Sequence, residues 1–287
     1  MTSQAVVLVG GPDSGKTNYL GRLWGAINSG NGCLRSARSP GDIEYVEEIL
    51  GHLLQGEFAP RSDTNLETRR TNFSVSLTLA DASTSEEVEL TVPDVLGELW
   101  KRAVETLEMP SKWWDKLQNS TGALLFVRVH SNQNVAPMDW VTTERLLRMQ
   151  GEESDSAKLS TQVFLCELLR LLEHSLKPAT PSQRRPRVAV VIAAWDLLDD
   201  DTHRAGPLHY LQAQYPLFAG RVVDTDQLDI RVFGVSVVGG DLSDDPRFRR
   251  EFAEGELQDF GFVVTDSARG VERFHDITLP VAWLVTG

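Results

Sequence analysis

One segment, Gly10 to Thr17, restricts the fold of this chain more than any other part of its sequence. It reads Gly-Gly-Pro-Asp-Ser-Gly-Lys-Thr, which is a glycine, four residues and then Gly-Lys-Thr. The apolar run Ala5 to Val9 precedes it, and the residues that follow favour a helix. A buried strand, a glycine-rich turn and a helix in this order point several backbone N–H groups and the positive end of a helix dipole at one place. The segment therefore predicts a turn that surrounds a polyphosphate.

Each residue type in this segment has a chemical role in such a turn. Glycine permits the backbone path and a close approach of the phosphates. Lys16 would reach the β- and γ-phosphates as a point charge, and the Thr17 hydroxyl would bind Mg²⁺. The alternative is a glycine-rich turn that carries Gly-Lys-Thr by chance, which the flanking strand and helix disfavour. The residues expected to contact the phosphates are Gly10, Asp13, Ser14, Gly15, Lys16, Thr17 and Asn18.

Short apolar runs alternate with stretches of helical periodicity along the chain, a pattern that predicts an α/β fold. We expect a three-layer arrangement in which a mostly parallel six-stranded sheet has helices on both faces. The short polar link between the second and third strands predicts an antiparallel hairpin at the sheet edge. The predicted strands are 5–9, 72–80, 87–93, 123–129, 188–194 and 230–237. The predicted helices are 15–28, 42–54, 98–108, 157–176, about 206–215 and about 279–286.

The whole chain, residues 1–287, is expected to form a single domain with a helical insertion at about 130–187. The most linker-like stretch is 177–186, which carries three prolines. A strand pattern resumes directly after it, which favours an insertion over a domain boundary.

On the segment from Gly10 to Thr17 and on the order of its elements, the chain resembles the P-loop nucleoside triphosphatases. Within them it is similar to the Ras-like, translation-factor-related GTPases, and most similar to the bacterial double-GTPase proteins of conflict and defence gene clusters. This resemblance covers most of the chain. It implies Mg²⁺-dependent binding and hydrolysis of GTP, a switch between two loop states, and a regulatory or effector protein that reads the switch.

The sequence Asp94-Val95-Leu96-Gly97 resembles the Asp-x-x-Gly element of these GTPases. The resemblance implies that Asp94 holds Mg²⁺ through water and that the Gly97 N–H contacts the γ-phosphate. Glu98 stands where many relatives have a glutamine that orients water. A carboxylate there can accept a hydrogen bond from water but adds negative charge beside the phosphate, so slow hydrolysis is expected. The alternatives are that Asp94 lies in a solvated turn and that Glu98 merely begins a helix.

The first switch is expected in the polar stretch 56–71. The resemblance calls there for a threonine that completes the Mg²⁺ site, for which Thr64 is the first choice and Thr68 the second. Arg61 precedes Thr64 by three residues, a spacing similar to that of the built-in arginine of heterotrimeric G-protein α subunits. Arg61 would then neutralise charge in the transition state, and a solvated loop arginine is the alternative. Catalysis is thus assigned to Lys16, Glu98 and Arg61.

Base recognition is expected where GTPases carry Asn/Thr-Lys-x-Asp, at the end of strand 188–194. Of that motif this chain keeps Asp196, whose carboxylate would accept from guanine N1 and the exocyclic amine. Ala193 and Ala194 replace the polar residue and the lysine, which weakens the preference for guanine and leaves ATP open as a ligand. Trp195 either stacks on the base or does not, and Asp196 could instead cap the following helix. Ser236 is the candidate for a backbone contact with the guanine oxygen.

Charge and composition exclude several classes of partner. The chain has 41 acidic and 28 basic residues and a formal net charge of −13, which argues against general binding to nucleic acids or anionic membranes. Its apolar runs are too short to span a bilayer, and its two cysteines fit a reducing compartment. With a strand beginning near residue 5 and no space for a signal peptide, a cytoplasmic location is expected.

Three functions remain in competition at the level of sequence. The first is a GTP-hydrolysing switch. The second is a nucleotide-stabilised interaction module with little or no turnover, suggested by Glu98 and by the altered residues before Asp196. The third is an ATPase or kinase of the same fold. Several tryptophans near the second switch could form a partner surface, although packing in the core is the preferred interpretation for each: Trp100, Trp113, Trp114 and Trp140.

Overall fold

The structure of the protein is a computed structural model that describes residues 2–30, 32–36, 44–59, 74–81, 87–93, 97–137, 159–179 and 185–286. The strands are β1 (Thr2–Val9), β2 (Leu34–Ser36), β3 (Ser74–Asp81), β4 (Glu87–Pro93), β5 (Gly122–Arg128), β6 (Arg187–Ala193), β7 (Asp229–Ser236), β8 (Phe262–Ser267) and β9 (Gly270–Phe274). The helices are α1 (Lys16–Ser29), α2 (Glu44–Leu54), α3 (Gly97–Thr106), α4 (Ser111–Gln118), α5 (Thr161–Ser175), α6 (Asp200–Ala205), α7 (Pro207–Gln214), α8 (Pro216–Asp224), α9 (Pro246–Glu254) and α10 (Leu279–Thr286).

All strands belong to one sheet in the order β2-β3-β4-β1-β5-β6-β7-β8-β9. The five central strands, β4 to β7 in that order, are parallel. The predicted hairpin of β3 and β4 is antiparallel, as are the pairings of β2, β8 and β9. The α/β fold is therefore confirmed, and all six predicted strands are present. The short strand β2 and the hairpin of β8 and β9 extend the sheet beyond them.

Side chains of β1 alternate between two cores, one on each face of the sheet. Val6 and Leu8 pack with α1, α2 and α10, whereas Val7 and Val9 pack with the helices of the opposite face, α3, α4, α5, α7 and α8. All four side chains are almost fully buried, and each such burial stabilises the fold by about 1.5–3 kcal/mol. The carboxyl end of β1 is thereby fixed at the centre of the sheet, between helices of both layers.

The predicted helices are present with small shifts of their ends. Helix α1 ends where its sequence predicted, because Gly30 adopts a left-handed φ of 70° and its N–H donates to the carbonyl of Ile27. Helix α5 lies inside the predicted insertion, of which residues 138–158 and 180–184 are outside the described ranges. The single-domain organisation remains a prediction. In the part of the chain that the structure describes, no helix is both long enough and apolar enough to cross a bilayer.

Candidate functional site

The phosphate loop, residues 10–17, connects the end of β1 to the start of α1. Three of its residues have positive φ angles: Gly10 at 149°, Asp13 at 58° and Gly15 at 95°. A Cβ atom on Gly10 would lie 2.9 Å from the carbonyl oxygen of Phe126, and one on Gly15 would lie 2.9 Å from the Cβ of Ala193. Both positions thus require glycine for their dihedral angles and for space. The predicted order of strand, turn and helix is present.

The Lys16 ammonium is held inside this loop. Its Nζ donates to the carbonyl oxygens of Gly10 (2.9 Å) and Gly11 (2.8 Å) and to the Ser14 hydroxyl (3.1 Å). The Lys16 residue is only 7% exposed. A long, flexible side chain is thereby restricted to one position, and its charge lies within the turn that begins α1.

Asp13, predicted to contact phosphate, directs its carboxylate to the end of β5 and the following turn. Its Oδ1 forms an ion pair with Arg128 at 2.7 Å, and its Oδ2 accepts a hydrogen bond from the Ser131 hydroxyl at 3.0 Å. The Asn134 side-chain amide donates to the Arg128 carbonyl and to the Tyr215 hydroxyl, which anchors this turn. Sequence analysis missed Arg128, although an arginine at the end of an otherwise apolar strand was a usable signal.

Thr17 and Asn18 lie in the first turn of α1 and are half-buried. The Asn18 Oδ1 accepts a hydrogen bond from the Ala59 N–H at 3.0 Å, so this side chain binds the segment that follows α2. An exposed ion pair at 2.7 Å between Glu57 and Arg249 of α9 binds the same segment. The chain is therefore held at two points at the beginning of the stretch 56–71, which is predicted to be the first switch. The switch residues Arg61, Thr64 and Thr68 lie outside the described residues, as does Asp94.

Gly97 touches the phosphate loop through its backbone. A Cβ atom on Gly97 would lie 2.5 Å from the Pro12 nitrogen and 2.6 Å from the Gly11 carbonyl carbon. The structure thus brings the first residue of α3 against the phosphate loop, and no side chain other than hydrogen fits there. Glu98 is exposed in the first turn of the same helix. The roles assigned to both residues remain predictions.

The tryptophans of this region are core residues where the structure describes them, with Trp140 outside the described ranges. Trp100 is 1% exposed, and its indole N–H donates to the Leu8 carbonyl at 3.2 Å. Trp113 is buried and Trp114 packs against the same core. Packing in the core is confirmed for Trp100 and Trp113, and Trp114 is half-buried against the same core.

The candidate base site joins the ends of two neighbouring parallel strands. The Ser236 hydroxyl lies close to the Asp196 carboxylate and accepts a hydrogen bond from the Gly239 N–H at 2.8 Å. Burial raises the pKa of Asp196, and the interaction with the Ser236 hydroxyl opposes that rise. The following helix α6 is capped by Asp199, whose Oδ1 accepts from the Thr202 N–H at 2.7 Å. Asp196 is therefore not the cap of that helix.

Trp195 packs beneath the sheet and is fully buried. A Cβ atom on Gly234 of β7 would lie 2.4 Å from its indole ring, so the absence of a side chain at Gly234 makes the space that the ring fills. Stacking of Trp195 on a bound base is excluded by this packing. Ala193 contacts Gly15 of the phosphate loop instead of offering a polar group.

A buried arginine fixes the segment after Ser236. Arg22 of α1 is 2% exposed and donates to three backbone carbonyls, those of Val237, Leu257 and Phe260, at 2.7–3.1 Å. Burial lowers the pKa of Arg22 to about 10, which leaves it charged at neutral pH. The helix that starts at the phosphate loop thus also holds the loop of the candidate base site.

A cavity of about 180 Å³ adjoins the outer side of the phosphate loop. It lies between that loop, the end of β5, and helices α3 and α5, and Arg128 and Ser131 are among its lining residues. The Arg128 side of the Asp13 ion pair therefore borders this cavity.

The residues present fit a magnesium ion of the kind that accompanies a nucleotide. In the ranges that the structure describes, no group of three or more His, Cys, Asp and Glu residues could hold a metal. Magnesium beside a nucleotide does not need such a group, because phosphate oxygens and water complete its six oxygen ligands. The hydroxyl of Thr17, next to Lys16 in the first turn of α1, is a suitable protein ligand, and Asp94 and Thr64 are the predicted others.

Comparisons with known proteins were made for both the sequence and the fold of this chain. Among curated proteins, none matches the sequence. Similar solved structures include the bacterial selenocysteine-specific elongation factor EF-Sec, at 12% identity and a TM-score of 0.36, with coverage of 83% of this chain and 26% of that one. They also include the S. cerevisiae Ski7 GTPase-like domain bound to GDP and inorganic phosphate, at 14% identity and a TM-score of 0.43, with coverage of 82% and 43%. The chain thus spans less than half the length of either.

The model of the family described as Double-GTPase 1 matches residues 7–284. Because this match takes in nearly the whole chain, the protein belongs to the Double-GTPase 1 family.

Proposed function

We propose that this protein is a Mg²⁺-dependent switch that binds and hydrolyses GTP. The observation that carries the proposal is the phosphate loop, in which the Lys16 ammonium is held by the carbonyls of Gly10 and Gly11. That arrangement places a fixed positive charge and the N-terminus of α1 at one point, which suits the β- and γ-phosphates of a nucleotide. Family membership supports GTP as the nucleotide.

Asp196 is proposed to select guanine. An ionised carboxylate accepts two hydrogen bonds, which matches the N1–H and amino groups of guanine and opposes the acceptor at the same place in adenine. The hydroxyl of Ser236 lies close to this carboxylate and favours its ionised form. Without a lysine stem at Ala194 and with Trp195 in the core, the base gains no packing from these positions. We therefore expect modest affinity for guanine nucleotides.

The switching step is proposed to act through Gly97. When magnesium and the γ-phosphate are bound, Thr17, Thr64 and Asp94 would hold the ion, and the Gly97 N–H would donate to the γ-phosphate. Magnesium would neutralise the phosphate oxygens during hydrolysis. Because Gly97 begins α3 and already contacts the phosphate loop, a change at the γ-phosphate would reach α3 directly.

Hydrolysis is assigned to Lys16, Glu98 and Arg61 and is expected to be slow. Glu98 can accept a hydrogen bond from the attacking water but repels the developing charge, which Arg61 would offset. The exposed position of Glu98 also favours a second candidate, an interaction module that retains nucleotide with little turnover. An ATPase of the same fold is the third candidate.

The biological setting is proposed from the family resemblance. We propose a cytoplasmic regulatory protein of a bacterial conflict or defence system, with a protein partner that reads the nucleotide state.

The first test compares thermal unfolding with saturating GTP or ATP and Mg²⁺. GTP is expected to raise the melting temperature and ATP is not, since a ligand stabilises the folded state that binds it. The variant Lys16→Ala should lose the GTP response. A response to ATP alone would contradict guanine selection and favour the ATPase.

Single-turnover release of phosphate then separates the switch from the module. Release that Lys16→Ala abolishes supports a hydrolase, whereas GTP that stays uncleaved for hours supports the module.

A further inference from the structure

We propose that Arg128 is a positioning residue that makes the phosphate loop fit to bind a polyphosphate, by neutralising the Asp13 carboxylate. This inference rests on the proposed function, because it concerns how the same loop accepts a nucleotide.

The phosphate loop contains a negative charge where a polyanion is expected to bind. Asp13 lies between Gly11 and Lys16 along this loop, and its side chain is only 14% exposed. Water therefore screens its charge poorly. Because like charges repel more strongly at low dielectric, an uncompensated carboxylate at this position would oppose phosphate binding.

The backbone does not require that charge. Asp13 has a φ of 58°, a conformation that few residues other than glycine adopt. Asparagine tolerates it as well as aspartate does. A neutral residue could therefore form the same turn, so the carboxylate needs a separate explanation.

The structure supplies a partner for each oxygen of this carboxylate. Arg128 binds Oδ1 at 2.7 Å and Ser131 donates to Oδ2 at 3.0 Å. Both partners come from one short stretch at the end of β5, which Asn134 braces through the Arg128 carbonyl at 3.1 Å. The positive charge of Arg128 is thus placed beside Asp13 by a central strand of the sheet.

The pairing makes the loop's charge depend on a residue outside the loop. With Arg128 present, the Asp13 carboxylate is neutralised, and a phosphate would meet the Lys16 ammonium beside a neutral ion pair. Without Arg128, the carboxylate would offset that ammonium. The resulting loss of affinity should increase with the negative charge of the ligand, from GMP through GDP to GTP.

The test measures binding of GMP, GDP and GTP to the full chain by calorimetry. The variant Arg128→Gln is expected to weaken GTP binding about tenfold and GDP binding less. The variant Asp13→Asn is expected to strengthen GTP binding, and the double variant should recover most of the affinity lost in Arg128→Gln. Added salt should reduce the difference between Arg128→Gln and the wild type.

The matched control is Arg170→Gln, which removes an arginine from an exposed ion pair with Glu167 on α5 and should leave GTP affinity unchanged.

A purely structural role for Arg128 predicts a lowered melting temperature and an equal loss of affinity for all three nucleotides, which Asp13→Asn does not repair. That result would overturn the inference, as would wild-type affinity in Arg128→Gln. If the wild type bound none of the nucleotides, the proposed function would fail together with the inference, whereas wild-type binding with an unaffected Arg128→Gln variant would overturn the inference alone.

Discussion

The Asp196 carboxylate and the Ser236 hydroxyl lie close together although one follows the end of β6 and the other ends β7. Parallel pairing of β6 with β7 brings these ends together, and Ser236 is fully buried at this junction. An acceptor that is partly removed from water and lies beside a buried hydroxyl is suited to read one edge of a base.

The first prediction concerns the pH dependence of this acceptor. Burial raises the pKa of Asp196, so GTP affinity should begin to fall at a higher pH than an exposed aspartate would cause, because the protonated acid is a poor acceptor. Affinity for a fluorescent GTP analogue, measured at roughly pH 8 to 5, should show this fall. The variant Asp196→Asn should bind weakly and lack this component of the pH dependence. Equal pH profiles for the variant and the wild type would argue against the assignment.

The raised pKa of Asp196 also affects the stability of the fold, which gains from it at low pH, where GTP affinity should fall. A carboxylic acid that binds its proton more tightly when folded adds stability below its unfolded pKa, and that stability is lost as pH rises through the folded pKa. Asp196→Asn should therefore be at least as stable as the wild type at neutral pH. Chemical denaturation measures this independently of nucleotide.

A second prediction concerns Lys16. Replacing it with alanine removes the ammonium that donates to Gly10, Gly11 and Ser14. We expect GTP affinity to fall by about 100-fold or more, since a charge-assisted contact with phosphate is lost in a partly dehydrated site. Calorimetric titration would measure it. Near wild-type affinity in Lys16→Ala would mean that the nucleotide binds elsewhere.

A third prediction tests the contact of Gly97 with the phosphate loop. The added methyl group of Gly97→Ala would lie 2.5–2.6 Å from backbone atoms of Pro12 and Gly11, which is much closer than van der Waals contact allows. We expect a loss of about 1–3 kcal/mol in unfolding free energy from this overpacking. Gly51→Ala is the matched control, because nothing lies within 4 Å of a Cβ atom there and Gly51 is inside α2. That control should gain about 0.5–1 kcal/mol from helix propensity. Equal effects of the two changes would contradict the close approach.

A fourth prediction concerns Arg22. The variant Arg22→Met should lower the unfolding free energy by about 3 kcal/mol, because three backbone carbonyls lose a charged donor in a buried place. GTP binding should weaken as well, since Val237 follows Ser236 directly. Arg250→Met offers a control on an exposed face of α9. Denaturation curves for both variants would reveal whether the loss is specific to Arg22.

The phosphate loop could be predicted from the sequence because everything that forms it is local. The apolar strand, the glycines and the helix that begins at Lys16 are contiguous, and their patterns are strong. The partners of these residues could not be predicted in the same way. Asp13 finds Arg128 across 115 residues, and Arg22 reaches Val237 across 215. No spacing rule connects such pairs before the sheet order is known.

The six predicted strands contain apolar runs and were predictable for a similar reason, whereas two of the three additional strands, β2 and β9, were not. Strand β2 has three residues, and the residues of β9 are mostly exposed, so neither produces an apolar run. Trp195 is a residue whose role the sequence left open and the structure decides. Its place after a strand allowed stacking on a base, and only the juxtaposition with Gly234 of the next strand reveals that the ring belongs to the interior.

One consequence of the Asn18 side chain extends to how this protein can be studied. Asn18 follows the proposed magnesium ligand by one residue and also holds Ala59, the last described residue before the stretch that contains Arg61. Metal coordination and the departure point of that stretch therefore share a single helical turn. A mutation, label or crosslink at Asn18 is therefore expected to affect both places at once. Nucleotide binding is better probed from residues 10–15 of the phosphate loop, and the position of the segment at Ala59 from Glu57 and Arg249.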